Sequence, residues 1–89
     1  MGNARTELLA ALAEGIEVPP LTSSEIESLL SLAAVAAHGT GDRTAAPLAS
    51  FLAGLAASRS SDRAASVEET RRRVGELAPS VEQPPATDA

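Results

Sequence analysis

The residues best equipped for chemistry lie close together in the middle of the chain: His38, Gly39, Arg43, Thr44, Pro47 and Ser50. His38 is the only histidine of the 89 residues, and Phe51, just beyond Ser50, is the only phenylalanine. An imidazole and a guanidinium beside the start of a helix suit an anion. A helix N-terminus offers backbone N–H groups without helical partners and about half a positive charge. Arginine adds a planar fork of donors that matches phosphate or carboxylate. These six residues therefore form a candidate site for an anionic ligand or for an acidic side chain of a partner. The structural alternative has His38 bonding the carbonyls at its own helix end and Arg43 pairing with Asp42 or another acidic neighbour.

Other chemistry finds less support. One histidine and no cysteine cannot furnish a zinc site from one chain, and no cofactor is expected. Ser50 and His38 lack the sharp turn sequence that activates a nucleophile. Gly39-Thr40-Gly41 follows a helix rather than a strand and lacks the third glycine of a dinucleotide fingerprint. The expectation is that the chain is not an enzyme. The run Arg71-Arg72-Arg73 is flanked by Glu68, Glu69 and Glu76, and the pairs Glu68–Arg72 and Glu69–Arg73 have the spacing of a solvated helix face.

Helical periodicity supplies the elements that must position these residues. A first helix is predicted over Ala4–Gly15, capped by Asn3, with Leu8, Leu9, Leu12 and Ile16 near a three-or-four spacing and Gly15 at the exit. Val18-Pro19-Pro20 reads as extended. Thr22 and Glu25 form a capping box for a second, strongly apolar helix, with Leu21 and Ile26 placed as a hydrophobic staple. That helix ends with His38 in its last turn and Gly39 as the left-handed residue beyond it. After a polar loop, Thr44 caps a third helix with Pro47 in its first turn and a stripe of Leu48, Phe51, Leu52 and Leu55 for the core. Small residues recur four apart on its other faces, Ser50-Gly54-Ser58 and Ala49-Ala53-Ala57, as in tight packing within the domain or a dimer seam. Arg59–Ala65 reads as a loop. Ser66 and Glu69 form a second capping box, opening a fourth helix over Val67–Ala78 that Pro79 ends. The expected fold is all-α: one helical domain over residues 1–78, a bundle of four helices with the second and third at its centre, and a disordered tail over 79–89.

Composition narrows the function classes. The chain has a net charge of −5 and seven basic residues, all arginine, which gives little basis for phosphate-backbone binding, so no nucleic-acid partner is expected. No stretch approaches the 18 or so unbroken apolar residues of a membrane span, and no signal-like segment opens the chain. A cytoplasmic location is expected. Hydrophobic residues make up 44% but aromatic ones only 1%, so a core of this size supplies only about 3–5 kcal/mol. Such domains lean on a partner or on a second copy, which makes a homodimer one expected state.

At Ala37-His38-Gly39, Arg43, Ala46-Pro47-Leu48, Phe51-Leu52 and Gly54-Leu55-Ala56-Ala57 the chain resembles a small helical domain of unknown function from bacteria with GC-rich genomes. That domain occurs alone or fused to a molybdenum cofactor guanylyltransferase, the enzyme that attaches GMP to molybdopterin. The resemblance spans about Leu29 to Arg59 and carries over His38, Gly39, Arg43, Pro47 and Phe51. Ala49 stands where the family has a hydroxyl, Ser58 where it has a glycine, and the family's early tryptophan is absent. The resemblance implies a non-catalytic accessory or protein-interaction module in molybdopterin guanine dinucleotide cofactor biosynthesis. Its partner would be the guanylyltransferase or a related maturation protein. The alternatives are a small-molecule module holding an anion or pterin phosphate at His38 and Arg43, and a self-associating helical protein of unrelated role.

Overall fold

The computed structural model describes residues 3–81. Four helices follow one another, α1 (Ala4–Gly15), α2 (Ser23–Thr40), α3 (Ala45–Ser58) and α4 (Arg63–Val81), with no strand among the described residues. The all-α class and the four helices are those the periodicity predicts. Of the expected disordered tail over 79–89, residues 82–89 lie outside the described residues. Pro79 does not end α4. It sits in the last turn, where it forfeits one backbone donor, and the helix runs on to Val81.

Polar side chains start the helices, though not always the expected ones. Asn3 accepts from the Thr6 N–H at 2.8 Å. At α2 the capping box is complete: Thr22 Oγ1 accepts from the Glu25 N–H, and Glu25 Oε1 from the Thr22 N–H at 2.8 Å. Thr44 does not cap α3. Its backbone is already helical, and its N–H and hydroxyl both donate to Asp42 Oδ1, at 2.9 and 2.7 Å. Nor do Ser66 and Glu69 open α4, which begins at Arg63. Asp62 caps it by accepting from the Ala65 N–H at 3.1 Å. In both cases an aspartate two or three residues upstream reaches the free donors first.

Helix ends also depart from the sequence expectation. Gly41, not Gly39, takes the left-handed conformation after α2, with φ of 73°. Gly15 does end α1, and the left-handed conformation beyond it is taken by Glu17, with φ of 61°. The Val18 N–H bonds Ala13 O and the Glu17 N–H bonds Glu14 O, the paired bonds of a Schellman end. Gly39 is inside α2, where a Cβ would stand 2.6 Å from the Ala78 Cβ of α4. Its missing side chain is therefore what lets α2 and α4 touch.

Helices α2, α3 and α4 pack against one another, the α2–α4 contact being the most extensive, so the third helix shares the centre with the fourth. No Cα of α1 lies within 8 Å of a Cα in another helix. Leu9 and Ala13 hold α1 beside the connecting segment Val18–Leu21, around a small cleft that Arg63 also lines. The core is made of small residues: Ala36, Ala53, Ala57 and Ala78 with Val67, and Leu32 as the one large side chain fully buried among the described residues. The stripe expected to fill it, Leu48, Phe51, Leu52 and Leu55, is on the outside, 48–65% exposed. Alanines on the opposite face of α3 pack inward instead, because short side chains let three helix backbones approach closely.

Close approach at Gly39 leads to a stability test. Gly39→Ala must push α2 from α4 and should lower the unfolding free energy by about 1–2 kcal/mol despite alanine's better helix propensity. Gly75→Ala, where a Cβ meets nothing within 4 Å, should raise it by about 0.5–1 kcal/mol. Urea unfolding followed by circular dichroism measures both.

Candidate functional site

His38 and Arg43 are brought together. They line one open hollow of about 640 Å³ with Ala33, Ala37, Gly41 and Ala46, formed where α2 ends and α3 begins. Both side chains are exposed, and neither makes a hydrogen bond or an ion pair with the described residues. Neither half of the structural alternative is therefore formed: Asp42 bonds Thr44 rather than Arg43, and the carbonyls of Ala36 and Ala37 near the end of α2 take donors other than His38. The Thr40 hydroxyl donates to Ala36 O at 2.7 Å, and the Asp42 N–H donates to Ala37 O at 3.1 Å.

The helix terminus beside this hollow has little left to offer an anion. The Thr44 N–H is bonded to the Asp42 carboxylate, the Ala45 N–H to Asp42 O at 3.0 Å, and the Ala46 N–H to Arg43 O at 3.2 Å. Pro47 has no N–H. The Asp42 carboxylate itself sits where an anion would bind, and the two bonds from Thr44 hold its carboxyl below the usual range. The remaining expected site residues point elsewhere. Gly39 packs on α4, and Ser50 donates to Ala46 O of its own helix at 2.8 Å while lining a different groove, between α2 and α3. The pair His38–Arg43 is thus all that the fold assembles from the six.

The arginine run on α4 is occupied by carboxylates. Arg71 donates to both oxygens of Glu68, Arg72 pairs with Glu69 and Glu76, and Arg73 donates to Glu69 at 2.9 Å. Glu68 thus pairs with Arg71, one residue nearer than the expected Arg72, and it also accepts from the Ser28 hydroxyl of α2 at 2.9 Å. Those donors hold the Glu68 carboxyl down at about 2, Arg71 contributing most.

Two features escape sequence reasoning. The first is an ion pair whose carboxylate is buried and whose guanidinium is partly exposed. Glu25, 3% exposed, receives Arg63 Nε on Oε2 and Arg63 Nη2 on Oε1, each at 2.7 Å. Arg63 also donates to Pro19 O at 2.8 Å and Pro20 O at 2.7 Å, so one guanidinium ties the α1–α2 connection to both α2 and α4. Glu25 reads as a cap and Arg63 as a loop residue because nothing local joins positions 38 apart. The second is the amount of apolar surface. Besides the α3 stripe, Leu8, Leu12, Ile16, Leu30 and Leu77 are each about half exposed or more. Among the described residues no group of His, Cys, Asp and Glu can hold a metal ion, and no helix is long and apolar enough to cross a membrane.

A family model described as "Domain of unknown function (DUF6457)" matches residues 2–86. No curated protein and no solved structure matches the chain.

The ion pair has a pH signature. The Arg63 hydrogen bonds hold the Glu25 carboxyl at about 2, below its ordinary value of 4.5. A carboxyl whose pKa is depressed on folding stabilises fully above its unfolded value and loses that contribution as pH falls through the folded one. Stability should therefore be level between neutrality and about pH 5 and decline from about 4.5 to 2. Glu25→Gln should cost about 2 kcal/mol at pH 7, and its acid decline should be shallower. Urea midpoints measured across this range test both statements.

Proposed function

We propose that this chain, which belongs to the DUF6457 family of domains of unknown function, is a non-catalytic docking module whose α1 arm seats in an apolar groove of a partner protein. The observation that carries the proposal is the state of α1. It packs against no other helix, yet Leu8, Leu12 and Ile16 recur four apart along it and are exposed. Anchors at that spacing, with the backbone already helical, are what helix-in-groove recognition uses, and the pre-formed helix lowers the ordering cost of binding. The exposed arm is compatible with the thin core: the apolar surface that the domain leaves uncovered is available to a second protein.

The resemblance at His38, Gly39, Arg43, Pro47 and Phe51 supports the molybdenum cofactor guanylyltransferase or a related maturation protein of the cytoplasm as the proposed partner, and with it a role in molybdopterin guanine dinucleotide biosynthesis. Ligand binding at the loop is the second reading. Its support is that His38 and Arg43 share one hollow with no competing partner among the described residues. The bonded N–H groups of α3 and the Asp42 carboxylate beside them weigh against it.

Light scattering on a sizing column tests the docking. The chain and the guanylyltransferase of the same genome should co-elute at a fixed ratio, and Leu8→Gln/Leu12→Gln/Ile16→Gln should abolish co-elution with helical content unchanged. Separate elution of the unaltered proteins overturns this partner. Saturable phosphate or GMP binding that Arg43→Ala removes would favour the loop.

A further inference from the structure

We propose that two copies of this chain pair through the outward face of α3, the Phe51 ring of each copy entering the groove between α2 and α3 of the other. The groove borders the α1 cleft at Val18, Pro19 and Leu21, but Leu8, Leu12 and Ile16 do not line it, so variants of α3 and variants of α1 tell the pairing from the docking described above.

Charge singles out this face for a like partner. The chain carries a net −5, so two copies repel one another over most approaches. Helix α3 has no charged residue from Ala45 to Ser58, whereas α4 is crowded with glutamates and arginines. Two acidic copies therefore meet at least electrostatic cost along α3.

Shape agrees. A two-fold interface needs one patch that carries both a projection and its receptacle. The projection is Leu48, Phe51, Leu52 and Leu55, all pointing away from the bundle. The receptacle lies alongside, a groove of about 540 Å³ walled by Leu29, Leu30, Ala33, Gly54 and Val67. Gly54, three residues after Phe51, forms an open hollow in which a Cβ would meet nothing within 4 Å. The small-residue row Ser50-Gly54-Ser58 is the edge of this groove.

Covering the groove strands no polar group. The Ser50 hydroxyl already donates to Ala46 O and the Ser58 hydroxyl to Leu55 O at 2.7 Å. Arg63, the one charged residue on its wall among the described residues, is held by Glu25. The α3 stripe and the groove's Leu30 form one apolar face whose large side chains are each about half exposed or more, surface that a second copy would cover.

Light scattering at several micromolar concentrations is the test. The unaltered chain should elute at twice the chain mass, and Phe51→Asp should elute at the chain mass with its helical content retained, since the ring touches solvent in the single copy. Leu48→Glu, at the other end of the stripe, should act the same way and serves if Phe51→Asp does not fold. Gly54→Leu, which fills the hollow, should weaken pairing at least tenfold. A chain that stays at single mass overturns the proposal. So does a dimer that survives both charged variants, or one that only the α1 variant dissolves.

Discussion

Glu25 is a carboxylate that water scarcely reaches, and a charge in that position costs several kcal/mol unless it is matched in both sign and geometry. Arg63 supplies the match with two parallel bonds, and its remaining donors satisfy the carbonyls of Pro19 and Pro20. The same carboxylate completes the α2 capping box by accepting from the Thr22 N–H. One pair therefore ties together the start of α2, the first residue of α4 and the path of the chain before α2. Pro19 and Pro20 are held at the arginine, and α1, which precedes them, packs against no other helix.

Small side chains govern the rest. At Gly39 and Ala78 two helices approach closely enough that a methyl group would not fit, and α3 joins them through Ala53 and Ala57. Such contacts gain dispersion from backbone proximity but bury little area per residue. The larger apolar side chains of α1 and α3 are consequently left facing solvent. A domain built this way has a modest interior and leaves large apolar side chains on its exterior.

The loop at His38 and Arg43 illustrates how a site that looks favourable in sequence changes when its donors are accounted for. A histidine, an arginine and a helix start do converge on one hollow. Asp42, which local spacing assigns only as a partner for Arg43, instead accepts from the N–H and hydroxyl of Thr44 just before α3 and brings its own negative charge. Hydrogen bonds that span two or three residues form with little loss of chain entropy, so they satisfy the terminus before any external anion does.

Sequence alone determined the all-α class, the existence and order of four helices, the extent of α1, and the capping box of α2, because these depend on periodicity and on bonds within one turn. It also grouped Leu48, Phe51, Leu52 and Leu55 correctly on one face. Periodicity reports which residues share a face, and it is silent on which face is turned inward. That choice, with the Glu25–Arg63 pair across 38 positions and the close approach of Gly39 to Ala78, was made by tertiary structure. It rests on how near three backbones can come, and only small residues allow that distance.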